Sequence, residues 1–151
     1  MAKRQLPEDF KEFIKCLNSN NVRYLLVGGW AVGMYANPRA TKDIDFLVSE
    51  TNSNLERLHK ALLAFGAPPI DTECLREKGN VIRIGSSPIQ IDIISEADGI
   101  DIDDSFSRKE TINVEGISIY VISKSDLIKN KKASGRSMDI ADAENLEKAN
   151  E

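Results

Sequence analysis

The sequence predicts an α+β domain: a mixed, mainly antiparallel sheet flanked by helices. Three observations carry that expectation. Apolar residues recur at helical spacing near both ends of the chain. Short apolar or alternating runs lie between them, at Tyr24–Val27, Asp43–Val48, Val81–Ile84 and Ile89–Ile94. Two of the joints between such runs have the composition of hairpin turns.

Pro7-Glu8-Asp9 opens the first helix with acids in its first turn, and Phe10, Phe13, Ile14 and Leu17 form its apolar face. Asn18-Ser19-Asn20-Asn21 closes it. Tyr24–Val27 reads as a buried strand ended by Gly28-Gly29. Trp30–Tyr35 reads as a short helix broken by Asn37-Pro38. Asp43–Val48 alternates as a strand should. Ser53–Phe65 carries Leu55, Leu58, Leu62 and Phe65 on one helical face and stops at Gly66. Val81–Ile84 and Ile89–Ile94 are read as a hairpin around a four-residue loop, Gly85-Ser86-Ser87-Pro88. Thr111–Val114 and Ile117–Ile122 flank Glu115-Gly116 as a second hairpin. Ser123 begins a helix, with Asp126 at a capping-box position. A last helix follows Ser134-Gly135, over about Ser137–Glu147. The expected organisation is one domain over residues 1–151, with tail helices 123–147 packed on it.

Composition narrows the function. The 151 residues are 41% hydrophobic and 29% charged, a core-forming balance. Net charge is −4, which speaks against a general nucleic-acid-coating protein while leaving a local basic patch open. No apolar run approaches the roughly 20 residues of a membrane helix, and the N-terminus lacks a signal-peptide core, so a cytoplasmic protein without membrane contact is the expectation. His59 is the sole histidine, which excludes a zinc site built from several histidines. Cys16 and Cys74 are expected to be free, partly buried thiols. Apart from a Ser-His-Asp arrangement that could use His59, chemistry is left to carboxylates, lysines, arginines and backbone.

The informative segment is Val27-Gly28-Gly29-Trp30 followed by Thr41-Lys42-Asp43-Ile44-Asp45-Phe46. Alternate strand residues share a face, so Asp43 and Asp45 point together while Ile44 and Phe46 point to a core. Paired carboxylates repel unless a cation lies between them, and an all-oxygen pair suits Mg²⁺. Two solvated aspartates would give the same tripeptide. Gly28-Gly29 before a helix lets backbone N–H groups approach a phosphate, although a tight turn would look alike. It is not a Walker A loop: Gly28 to Gly33 has the glycine spacing, but Met34-Tyr35 replace Lys-Ser/Thr. Asp92, on a strand whose Ile91 and Ile93 face the other way, would add a third carboxylate if that strand lies beside Asp43–Val48. Such a trio would suit two metal ions and phosphoryl chemistry.

With Asp92 in place, the pattern resembles the nucleotidyltransferase superfamily, whose fold is shared with DNA polymerase β. The tail adds to the likeness: Val121-Ile122-Ser123-Lys124-Ser125-Asp126-Leu127-Ile128, Lys131, Gly135-Arg136, Asp139 and Asp142 resemble the closing segment of small bacterial and archaeal members, including relatives of abortive-infection toxins. The resemblance runs from about Tyr24 to Leu146. It implies that Gly28 and Gly29 hold nucleotide phosphates, and that Asp43 and Asp45 bind Mg²⁺ or Mn²⁺. Asp92 would be a third ligand or the base for the attacking hydroxyl. Lys131 would face the triphosphate, with Arg136 beside it. Many relatives have Gly-Ser where this chain has Gly-Gly, which removes one hydroxyl.

The implied reaction moves a nucleoside monophosphate from an NTP to an acceptor and releases pyrophosphate. RNA ends, protein side chains and small molecules such as aminoglycosides or lincosamides remain open as acceptors. The alternative is a module that keeps the fold without turnover, such as a toxin–antitoxin component with a small protein partner. A homodimer closing the cleft is a further option. Lys124, Lys129, Lys131, Lys132 and Arg136 are either a phosphate- or RNA-facing patch or a solvated helix face. The acid-rich stretch Asp92–Asp104, with its Asp101-Ile102-Asp103 imitation of the motif, is read as a solvated loop. Trp30 and Tyr35 are read as core residues, and His59 as surface.

Overall fold

The computed structural model describes residues 6–36, 43–86 and 88–149. The expected Asn37-Pro38 break and the segment Arg39 to Lys42 lie outside them. The described elements run α1 (Glu8–Ser19), β1 (Tyr24–Val27), α2 (Gly28–Tyr35), β2 (Asp43–Val48), α3 (Asn52–Phe65), β3 (Val81–Ser86), β4 (Ile89–Ile94), α4 (Ile102–Ser107), β5 (Glu110–Val114), β6 (Ile117–Val121), α5 (Lys124–Ser134) and α6 (Ser137–Lys148). A 3-10 turn at Thr72–Arg76 follows α3. Six strands form one sheet in the order β3-β4-β2-β1-β6-β5. Three strand pairs are antiparallel, while β1 with β6 and β2 with β4 are parallel. The sheet is thus mixed and mainly antiparallel, as its hairpin-rich sequence suggests.

Period-two alternation decides which residues make the core. Ile44, Phe46 and Val48 are buried on one face of β2, with Phe46 in register with Leu26 and Val48 with Tyr24 of the neighbouring β1. Phe13 of α1 lies between Phe46 and Phe65 of α3, at ring distances of 5.4 and 5.2 Å. Each such ring buried contributes about 1.5–3 kcal/mol. A one-residue slip of β2 would drive Asp43 and Asp45 into this apolar layer, so the core pins the register that the site needs.

Local chemistry accounts for several helix ends. Thr51 caps α3 through its side-chain oxygen, and Gly66 ends that helix at φ 89°. Ser123 caps α5 by accepting from the Asp126 N–H at 3.1 Å. Asp126 does not complete a capping box. Its buried carboxylate instead accepts from Ser105 Oγ at 2.8 Å and from Arg108, tying α4 to α5. Cys16 and Cys74 are free thiols, and Trp30 is core.

Three expectations are corrected. Helix α2 begins at Gly28 rather than Trp30. The β3–β4 loop has two residues, not four, because Ser86 still pairs with Ile89. The acidic stretch read as loop contains α4: Asp101 caps it by accepting from the Asp103 N–H at 3.0 Å, and Asp103 pairs with Arg23 at 3.0 Å. Short polar residues favour caps as readily as loops, which is why composition alone misreads them. Among the described residues, no helix is long and apolar enough to cross a membrane.

Candidate active site

The sheet lays four residues side by side. Val27 of β1 pairs with Asp45 of β2, Asp45 with Asp92 of β4, and Asp92 with Arg83 of β3. Neighbouring strands lie about 4.8 Å apart, so these side chains form a lateral row on one face. Asp43, two residues from Asp45, shares the face, as does Gln90 beside it. The three sequence-predicted carboxylates are therefore gathered on the face opposite Ile44 and Phe46.

After Val27 the chain turns into α2 through Gly28, at φ 70°. A Cβ there would overlap the Asp45 carboxylate, so only glycine allows this backbone to lie against that acid. Gly28 and Gly29 make the first turn of α2, whose N–H groups have no intrahelical acceptors. Gly28→Ala is expected to lower the melting temperature, through positive φ and a displaced Asp45, by about 1–3 kcal/mol in stability. Thermal denaturation of the variant checks it.

Burial, then the charges of Asp92 and Asp43, push the Asp45 carboxyl up to about 6, and Lys131 and Arg83 only partly offset this. Folding therefore retains a proton on Asp45 between its unfolded value near 3.8 and about pH 6, and stability is lost as pH rises through that window. In the metal-free protein, Asp45→Asn is expected to match the wild type near pH 4. At pH 8 it should be more stable by about 1–2 kcal/mol. Melting curves across pH check this; no pH-dependent gain would contradict it.

Asp92 has different surroundings. Arg83 Nε donates to its Oδ1 at 2.9 Å and Arg83 Nη2 to its Oδ2 at 3.3 Å, while Gln90 Nε2 lies 3.2 and 3.4 Å from the two oxygens. Among the described residues, no group of three or more His, Cys, Asp or Glu side chains is disposed to hold a metal ion. Asp43 and Asp45 do offer only hard oxygen donors, with burial and neighbouring acids disfavouring the charge of Asp45, beside a backbone cradle that a Cβ would fill. That donor set fits a hard divalent cation.

Helices α5 and α6 supply the opposite wall. Gly135, at φ 71°, ends α5 and lets the chain double back into α6. A cavity of about 640 Å³ lies between this hairpin and the sheet, lined by Gly28, Gly29, Asp43 and Asp45 on one side and by Lys131 and Arg136 on the other. Lys131 is only 8% exposed, and its Nζ sits 3.1 Å from Asp139 and 3.2 Å from Asp142. Burial raises the Asp139 carboxyl, but hydrogen bonds from Ser134 and Lys131 outweigh it and hold the group below the usual range. Arg136 is 80% exposed and reaches Asp139 at 3.1 Å. Lys131 is thus a buried cornerstone of the tail as well as a cavity residue. Sequence reasoning missed Arg83 and Gln90, and also Glu96 and Asp98 in the cavity lining. His59 is exposed on α3, beside a second cavity of about 580 Å³ that also meets Glu56 and Asp71.

Comparison with known proteins places the chain. The model of a family described as "Nucleotidyltransferase of unknown function (DUF6036)" matches residues 5–150. The chain belongs to that nucleotidyltransferase family. Solved nucleotidyltransferases share its fold. TM1012 of Thermotoga maritima, a candidate nucleotidyltransferase, superposes with a TM-score of 0.57 at 14% identity, over 92% of this chain and 88% of that one. ANT(2")-Ia, solved with adenylyl-2"-tobramycin, gives 0.56 at 14% identity over 93% and 84%. An antigenic nucleotidyltransferase-like protein of Paracoccidioides brasiliensis gives 0.56 at 14% identity over 95% and 77%. No protein of curated function matches the sequence. In this chain the row of Asp92, Asp45 and Val27 lies at the carboxyl end of β1, where Gly28 opens a helix.

Proposed function

We propose that this nucleotidyltransferase transfers a nucleoside monophosphate from an NTP to an acceptor hydroxyl or similar group and releases pyrophosphate. The observation that carries the reading is the fit of Gly28 backbone against Asp45, with Asp43 on the same face and Asp92 in register beside it. Asp43 and Asp45 would hold Mg²⁺ or Mn²⁺, with Asp92 as a third donor once the three carboxylates turn toward one ion. The bound cation supplies positive charge where negative charge develops on the transferred phosphoryl group.

The chain's own residues do the remaining work. The free N–H groups of Gly28 and Gly29 bind phosphate oxygens at the start of α2. Asp92 is aimed by its strand and by Gln90, and it accepts the acceptor's proton when it is not a ligand. Lys131 and Arg136 set positive potential along the opposite wall, where the triphosphate lies. The cavity's volume admits a nucleotide-sized ligand.

Each of the four NTPs, labelled on the α-phosphate, is incubated with the protein, Mg²⁺ or Mn²⁺ and cell extract. The expected result is a labelled product with at least one of them, lost in Asp45→Asn. No labelled product with any of the four overturns the reading.

A further inference from the structure

Arg83 grips a carboxylate of the proposed metal row, and nothing in the proposed reaction uses it. It stands on β3, an edge strand, opposite Asp92 in an antiparallel pair. Its guanidinium meets both Asp92 oxygens, so the pair is the two-point geometry that arginine forms best with a carboxylate. The two partners differ sharply in freedom: the Arg83 side chain is 59% exposed and the Asp92 side chain 10%. Asp92 is fixed between Asp45 on one side and Arg83 on the other, whereas Arg83 can leave into solvent.

Asp92 also feels a like charge from Asp45, its partner in the parallel pair. Arg83 sets a cation on the far side of Asp92 from Asp45. Resting on the function proposed above, we propose that Arg83 is a displaceable counter-cation. It occupies the Asp92 carboxylate when no metal does and aims that carboxylate along the row, and metal binding must displace it. Arg83 is then a positioning residue that sets metal affinity, and its exposed side chain makes the exchange easy.

The competition gives a sign that a structural role would not. Arg83→Gln removes the competing charge while keeping length and a hydrogen-bonding amide. Mn²⁺ affinity without nucleotide, read by titration of its paramagnetic resonance signal, is expected to tighten about threefold to tenfold. The metal-free melting temperature should fall slightly. Arg83→Lys, which keeps a charge, should stay within about twofold of wild type. In an Asp92→Asn background the same Arg83→Gln change should leave Mn²⁺ affinity unaltered, because the contested carboxylate is gone. Unchanged or weaker affinity in folded Arg83→Gln overturns the inference while leaving the proposed function standing. Tightening that persists in the Asp92→Asn background also overturns it, since the effect would then be general charge. A wild type that binds no Mn²⁺ overturns both the inference and the metal reading.

Discussion

Asp92→Ala is expected to lower turnover by about 100-fold or more, equivalent to at least about 3 kcal/mol of transition-state stabilisation. Its carboxylate is set by a strand buried on both sides, with Ile91 and Ile93 in the core, and it faces Asp45 at fixed register. Preorganised groups of this kind carry rate, because their orientation is settled before the substrate arrives. The loss should fall mainly on the chemical step, since Asp43 and Asp45 remain to bind a metal and nucleotide. Asp101→Ala and Asp103→Ala are the controls. Those acids cap α4 and pair with Arg23, away from the cavity, and should change turnover by less than about threefold, roughly 0.7 kcal/mol. Steady-state kinetics on folded variants decides it. Near-wild-type turnover in Asp92→Ala would remove this residue from the chemistry.

Lys131→Met is expected to cost about 3–5 kcal/mol of stability, the second large effect. The ammonium lies between Asp139 and Asp142, both nearly inaccessible to water. Without it, two carboxylates face each other in a poorly solvated place. Ser134 and Arg136 still support Asp139, which keeps the cost from being larger. In a chain of this length the melting temperature should drop by roughly 10 °C. Adding Asp142→Asn to Lys131→Met should recover part of the loss, because it removes one stranded charge. A melting temperature within about 2 °C of wild type in the single variant would show that the pair of acids finds another partner.

The legible part of this molecule was what alternation and punctuation encode. Asp43 and Asp45 had to share a face because strand side chains alternate, and Ile44 and Phe46 had to be core for the same reason. Gly66 and Gly135 end helices at positive φ, where the sequence places them. The hidden part came from register. A four-residue loop between β3 and β4 would set Arg83 opposite Gln90 and Asp92 opposite Val81. The actual two-residue connection moves Arg83 opposite Asp92, so one misjudged turn concealed the ion pair. Lys131 shows a different limit. Its spacing to Asp139 and Asp142 is plain in the sequence, but only the α5–α6 hairpin reveals that it is buried between them. Helix α4 was missed because Asp101-Ile102-Asp103 has the composition of a loop and the chemistry of a cap.

The most direct measurement is the melting temperature of wild type and Asp45→Asn with and without a Mg·NTP complex. At a ligand concentration near 100 times its dissociation constant, binding adds about 2.7 kcal/mol, a rise of roughly 5–10 °C. The wild type should show that rise with at least one NTP, and only when Mg²⁺ is present. Asp45→Asn keeps the shape of the side chain and removes the charge, so it should melt at least as high as wild type without ligand and show no rise with it. A full ligand-induced rise in Asp45→Asn, or none in the wild type with any of the four NTPs, would contradict a metal–nucleotide site built on Asp43, Asp45 and Gly28.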